Sequence, residues 1–161
     1  MRFFRSAPRV MPAQVTEAAV LADLYHRAWR GCERVIDARL VADQAPAPAD
    51  VDAWFMGGFE VFRVRHEGQL IGAVRCCFPS STCVVDRLAV DPDARGRGVG
   101  QLLLEHAVGR ARRAGVTRVW AQVCPKLEAT YALFRSLGFR DTSRVRAACW
   151  GEDVVLMELP V

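Results

Sequence analysis

Three glycines at 96, 98 and 100 alternate with two arginines in Arg95-Gly-Arg-Gly-Val-Gly100. A backbone this rich in glycine turns sharply and lets a ligand come close, and the first N–H groups of a helix that follows have no intrahelical acceptor. Such an end attracts anions. Two fixed guanidinium charges beside it make a diphosphate the natural guest. No Gly-Lys-Ser/Thr follows, which excludes a Walker loop. Gln101 stands where GxGxxG requires its third glycine, which excludes the dinucleotide fingerprint.

The other residue types that do chemistry are sparse. Cysteines at 32, 76, 77, 83, 124 and 149 form no CxxC pair, and the histidines at 26, 66 and 106 lack metal-ligand spacing, so no metal is expected. The thiols read as reduced packing groups of a cytoplasmic protein rather than as covalent acyl carriers, since none has a histidine nearby in sequence or a helix-terminal setting. Of the 22 basic residues only Lys126 is a lysine. Most of the arginines read as a solvated surface.

These groups need elements to hold them. Period-two runs at 59–65, 70–78 and 82–90, separated by turns at 66–69 and 79–81, predict an antiparallel meander. Asp91-Pro92 and the glycine-rich turn lead into a helix carrying Leu102, Leu103, Ala107, Val108 and Ala111 and closed by Gly115. A strand over 116–123, a helix over 127–137 capped by Gly138, and two strands over 139–146 and 153–159 complete the order. Ahead of the meander, Thr16 is expected to cap a helix that Gly31 ends. A short helix over 35–42 follows, then an Ala/Pro connector over 43–50 in which Asp50 caps a further helix, the whole front segment forming a mobile flap. Residues 1–14 read as an irregular lead-in or a first edge strand.

At 161 residues and 52% hydrophobic the chain fits one domain, residues 1–161, and its net charge of 22 minus 18, or +4, is too small for a protein that holds nucleic acid by bulk electrostatics. No run approaches a membrane span, and the opening Met1-Arg-Phe-Phe-Arg5 breaks into charge before any export signal.

The motifs together resemble the GNAT superfamily of N-acetyltransferases. Leu88-Ala-Val-Asp-Pro92 is similar to the family's L-x-V-x-P, Arg95 to Gly100 to its R/Q-x-x-G-x-G/A, and Leu133-Phe-Arg-Ser-Leu-Gly-Phe139 to its L-Y-E-K-L-G-F. The resemblance implies an α/β fold with a mixed central sheet of six to seven strands, antiparallel at first, flanked by about four helices. It implies acetyl-CoA as acyl donor and no metal. Leu88, Ala89 and Val90 would offer backbone groups to the pantetheine arm, with a bulge near Val90 opening the sheet and freeing an N–H for the oxyanion. Arg95, Gly96, Arg97, Gly98, Val99, Gly100 and Gln101 would cradle the pyrophosphate.

Two family features are missing. Phe134 occupies the place of the tyrosine that protonates the leaving thiolate and is placed against the cofactor, with Tyr131 as substitute acid or as core. Val84 occupies the place of a common glutamate, and Asp86, two residues on, is either the base or the partner of an arginine such as Arg75 or Arg87. A base matters because freeing an alkyl ammonium of pKa about 10.4 at pH 7 costs about 4.6 kcal/mol. The front helices would line the acceptor side, with Trp29, Glu33 and Asp37 receiving a cationic amine or, for the two acids, facing solvent. The expected activity is direct acetyl transfer in a ternary complex to a small-molecule or peptide amine, with no nucleic-acid or membrane partner and with homodimerisation open. The alternative is a non-catalytic acyl-CoA sensor.

Overall fold

The computed structural model describes residues 6–161, so positions 1–5 of the lead-in lie outside the described residues. Seven strands form one sheet in the order β1-β2-β3-β4-β5-β7-β6: β1 (Val10–Pro12), β2 (Glu60–His66), β3 (Gln69–Cys77), β4 (Thr82–Val90), β5 (Arg118–Val123), β6 (Arg140–Ala147) and β7 (Glu152–Pro160). Every neighbouring pair is antiparallel except β4 and β5. Five α-helices flank the sheet: α1 (Ala18–Trp29), α2 (Ala38–Gln44), α3 (Pro48–Met56), α4 (Val99–Arg113) and α5 (Glu128–Ser136). This is the mixed α/β architecture expected, and the lead-in supplies a first edge strand. Among the described residues no helix is long and apolar enough to cross a membrane, and no cluster of three metal-ligating side chains forms.

Strand alternation divides the core. Phe62, Val74, Cys76, Cys83 and Val85 point to one face, where Val99, Leu103, Leu104 and Ala107 of α4 and Phe134 of α5 cover them. Val61, Leu70, Ala73 and Ala89 point to the other, under Leu21, Leu24 and Tyr25 of α1 and Val51 and Trp54 of α3. The front segment is therefore not a mobile flap at α1 and α3, because those helices bury the second face of the sheet. The starts of both helices also differ from expectation. Thr16 caps nothing: it lies in a short 3-10 turn, and the Gln14 N–H is met by the Glu17 carboxylate at 3.0 Å. The 43–50 connector is shorter, since Pro48 already occupies the first helical position of α3, where its missing N–H costs nothing, and Asp50 reaches back to the Ala47 N–H at 2.8 Å from inside the helix. Gly31, at φ 81°, does close α1.

Two contacts fix the start of α4. A Cβ built on Gly72 of β3 would lie 2.7 Å from Val99 Cγ1 and 2.9 Å from Leu103 Cδ1, so the helix's first turns press on bare strand backbone. Asp91, buried, accepts from Asp93 N at 2.9 Å and from Arg27 Nε at 2.9 Å, tying the turn before α4 to α1.

Gly72→Ala is therefore expected to overpack this seam and destabilise the fold by about 1–3 kcal/mol, read as a drop of roughly 3–10 °C in a thermal melt. Glu17 supplies a pH test. Burial pushes its carboxyl up, but the Arg65 hydrogen bond, the Gln14 N–H and the Arg63 charge outweigh that and hold it below the usual carboxylate range. A depressed folded pKa contributes stability in full above the unfolded value, near ~4.3, and loses it as pH falls through the folded value. Glu17→Gln should lower the melting temperature at pH 7, with the difference from wild type shrinking as pH drops below about 4.

Candidate functional site

The site begins where the sheet fails to close. β4 and β5 pair only over Thr82–Arg118, Cys83–Val119 and Val84–Trp120, after which β4 runs on to Val90 without β5 beside it. On its other edge β4 carries a bulge: Ala73 faces Ala89 and Arg75 faces Asp86, so Val74 alone opposes Arg87 and Leu88. The bulge thus falls just upstream of the Val90 position expected. Arg87 takes a left-handed φ of 51°, unusual for a side-chain-bearing residue, and two long-range contacts hold it there. The Tyr25 hydroxyl of α1 donates to the Arg87 carbonyl, and the Arg87 guanidinium meets Asp43 of α2, with 3.1 Å to the carboxylate. Complete burial raises the Tyr25 pKa and keeps that phenol a donor.

Beside the unpaired end of β4 lies a cavity of about 620 Å³. Leu88, Ala89 and Val90 form one wall, and Arg95, Gly96, Gly98, Val99, Gly100 and Gln101 form one end. Leu127, Thr130 and Leu133, spaced by three along and just before α5, form the opposite wall, and Trp29, Cys32 and Val35 close the front. Gly96 and Gly98 have φ of 71° and 82°, which only glycine adopts without cost, and Gly98 is the N-cap of α4 with no side chain to satisfy the helix's first N–H groups. A Cβ on Gly100 would lie 3.0 Å from Leu133 Cδ2, so the cradle has room there for backbone only. These residues fit the diphosphate and narrow arm of an acyl-CoA: exposed helix N–H groups for the anion, an open strand edge for an amide-bearing chain, and apolar walls.

The structure brings together at this cavity Trp29, Leu88, Ala89, Val90, Arg95, Gly96, Gly98, Val99, Gly100 and Gln101 of the residues singled out from sequence. It leaves the others elsewhere. Arg97 is not on the lining. Phe134 is buried edge-to-face against Phe139 at 5.0 Å and is core. The Tyr131 hydroxyl points to the Asp141 carboxylate on β6 and receives Arg135 at 3.2 Å, away from the cleft. Asp86 is locked in a two-pronged pair with Arg75, at 2.8 and 2.6 Å, and Arg75 in turn lies 4.0 Å from the Phe59 ring centroid and 4.7 Å from that of Trp54. Of the two readings of Asp86, the ion pair is the one the geometry supports.

Asp37 caps α2 through the Arg39 N–H at 2.8 Å and pairs with the Arg39 side chain, whose hydrogen bond holds the Asp37 carboxyl well below the usual range. Glu33 lies exposed in a 3-10 turn. Neither acid faces the cleft. Sequence reasoning missed Cys32, Val35, Lys126 and the Leu127, Thr130, Leu133 stripe. Burial raises the Cys32 thiol pKa, with Arg95 opposing, so it faces the cavity as a neutral group. Lys126 stands on the rim, its Nζ 3.0 Å from Glu152 Oε2.

Comparison with known proteins identifies the family and the fold. A model of the acetyltransferase (GNAT) family matches residues 20–139. The chain is 38% identical over 78 residues to the [ribosomal protein bS18]-alanine N-acetyltransferase of Salmonella typhimurium, covering 46% of this chain and 53% of that protein, so it spans about half the length of the curated relatives it matches. The fold is similar to that of PaiA N-acetyltransferase from Thermoplasma acidophilum, solved with coenzyme A, with a TM-score of 0.82 at 12% identity over 97% of this chain and all of that one. It is also similar to the ribosomal-protein-S18-alanine N-acetyltransferase from Escherichia coli, with a TM-score of 0.77 at 21% identity over 96% and 94% of the two chains.

If Asp86 serves Arg75 rather than a proton, Asp86→Asn should behave as a stability variant. The Arg75 side chain is 10% exposed and that of Asp86 36%, so leaving the guanidinium unpaired is expected to cost about 1–3 kcal/mol, below the cost of breaking a fully buried pair. A urea titration checks the size.

Proposed function

The chain belongs to the acetyltransferase (GNAT) family, and we propose that it transfers an acetyl group from acetyl-CoA to the α-amine of a peptide or amino acid. The amine attacks directly while donor and acceptor are both bound. The observation that carries this reading is the coincidence, in one cavity, of the unpaired β4 edge and the uncapped N-terminus of α4. One takes an extended amide-bearing arm, the other its diphosphate. The backbone around Leu88 to Val90, past the bulge, is where an N–H polarises the thioester carbonyl as charge develops on its oxygen.

The acceptor class follows from what the cavity lacks. Its ionisable lining residues are Cys32, Arg95, Lys126 and Glu128, and the only carboxylate of the four, Glu128, is exposed in the first turn of α5. A lysine amine is free base at pH 7 in only one molecule in about 2,500, whereas an α-amine of pKa 7.7–8.0 is free in about one in ten. A site without a buried base therefore favours the α-amine by roughly 250-fold. The Salmonella relative, named for acetylating an alanine of a ribosomal protein, supports a peptide acceptor. The apolar front wall of Trp29 and Val35 is suited to a small uncharged side chain beside that amine.

Two measurements test this. Gly98→Asp places a carboxylate at the N-cap of α4, where it repels phosphate. The left-handed φ of Gly98 strains the substitution by about 1–2 kcal/mol, read in a melting curve, while acetyl-CoA affinity by titration calorimetry falls about a hundredfold, near 3 kcal/mol. Thiol release against unblocked and N-blocked lysine-bearing peptides should favour the free α-amine. Its kcat/KM should rise with pH along one limb following the amine's own pKa near ~8. Binding without thiol release from any amine would leave an acyl-CoA sensor instead.

A further inference from the structure

One nucleophile on the cavity wall has no part in the reaction just described. Lys126 is the only lysine in the chain, against 21 arginines, and it lies on the rim of the cavity next to Leu127. We propose that Lys126 is an acetylation site of this protein, modified by acetyl-CoA bound in its own cavity, a reading that rests on acetyl-CoA occupying that cavity.

Three features support it. An arginine guanidinium stays protonated at any working pH, so among the side-chain amines and guanidines of this chain only Lys126 can take an acetyl group. Its side chain is 61% exposed, yet the Nζ is anchored 3.0 Å from Glu152 Oε2 and 3.4 Å from Oε1. Glu152 is itself fixed: its side chain is 4% exposed, and Oε1 also accepts the Asp37 N–H at 2.7 Å. Lys126 thus borders the cavity while its amine rests on a rigid partner that is not itself part of the lining.

An ordinary alkyl amine is free base at pH 7 in only about one molecule in 2,500. Once swung from Glu152 toward a thioester in the adjoining cavity, such an amine has an effective concentration that reaches 10⁵ M or more when well oriented, about enough to outweigh that fraction. The reaction balances without a further reagent. The ammonium gives one proton to the Glu152 carboxylate, which passes it to water. The Nζ lone pair forms a bond to the acetyl carbon, the C–S bond breaks with its electrons going to sulfur, and the CoA thiolate takes the second Nζ proton. The products are the neutral amide, CoA and one proton released to solvent. The amide cannot form an ion pair with Glu152, so the modification leaves a nearly buried carboxylate with the Asp37 N–H as its remaining contact among the bonds described, and breaks the tie between β7 and the β5–α5 connection.

The test uses the whole protein with acetyl-CoA, read by intact mass and by peptide mapping, beside calorimetric titration of the same sample. The expected result is up to one acetyl group per chain at Lys126, absent in Lys126→Arg and formed at least about tenfold more slowly in Gly98→Asp, whose fold is checked by its melting curve. Acetyl-CoA binding with Lys126 unmodified, or acetyl found only on the terminal α-amine, would overturn the proposal and leave the transferase reading standing. Modification of Lys126 at equal rates in wild type and Gly98→Asp would overturn it as simple chemical acylation. Absence of acetyl-CoA binding would overturn both readings.

Discussion

The cleft depends on one interruption in hydrogen bonding, the end of the β4–β5 ladder at Val84 and Trp120. A strand edge that loses its partner leaves backbone donors and acceptors that need water or a ligand. Here the loss is enforced from the other side. The bulge at Arg87 and Leu88 swings the last residues of β4, and it persists because Tyr25 and Asp43, from two different helices, hold the left-handed Arg87 in place. The strain of a single residue is thus offset by contacts reaching back more than forty positions in sequence. Parallel strands require a crossover, and α4 provides it, so its N-terminus must lie at the carboxyl end of β4, where the sheet parts. Diphosphate cradle and open edge meet at one place as a consequence of that connection.

What was legible in the sequence follows the range of the interactions. The cradle was readable because everything it needs is local: glycines for left-handed φ at 96 and 98, and a helix beginning without a capping side chain. The strands and their order were readable from alternation, and the boundaries moved by only a residue or two. Asp86 shows where local reasoning stops. Parity along β4 correctly sets it beside Val84, but its partner is chosen across the sheet by the register that puts Arg75 opposite it, with Phe59 and Trp54 stacked beyond.

The same limit governs α5. Leu127, Thr130 and Leu133 line the cavity at intervals of three, so Tyr131 and Phe134, each one position further round, face β6 and the core. A shift of one position on a helix is about 100° of rotation, which no motif match measures. The front of the chain was misread for a related reason. Its Pro- and Ala-rich composition suggested looseness, whereas Pro48 starts a helix; Asp50 is spent on a backbone N–H at a helix start as expected, and Asp37, a candidate for a cationic amine, is spent in the same way. An acidic residue two or three positions from such a start is as well suited to capping as to a cationic substrate, and the structure uses both for capping.

A cleft whose polar equipment is mostly backbone has a defined chemical character. Helix N–H groups and a strand edge stabilise negative charge, on phosphate and on a developing oxyanion, without a reorganising side chain and without dependence on pH. They do not accept protons. The side chains that could have done so are engaged elsewhere, Asp86 with Arg75, Asp37 with Arg39, and Glu152 with Lys126 and the Asp37 N–H. Burden for the proton therefore passes to the acceptor itself. Selectivity by amine basicity then needs no contact at all, because an acceptor that is already free base at neutral pH reacts and one that is not must bring its own carboxylate. Lys126, with Glu152 at 3.0 Å, is the one amine on this surface that does.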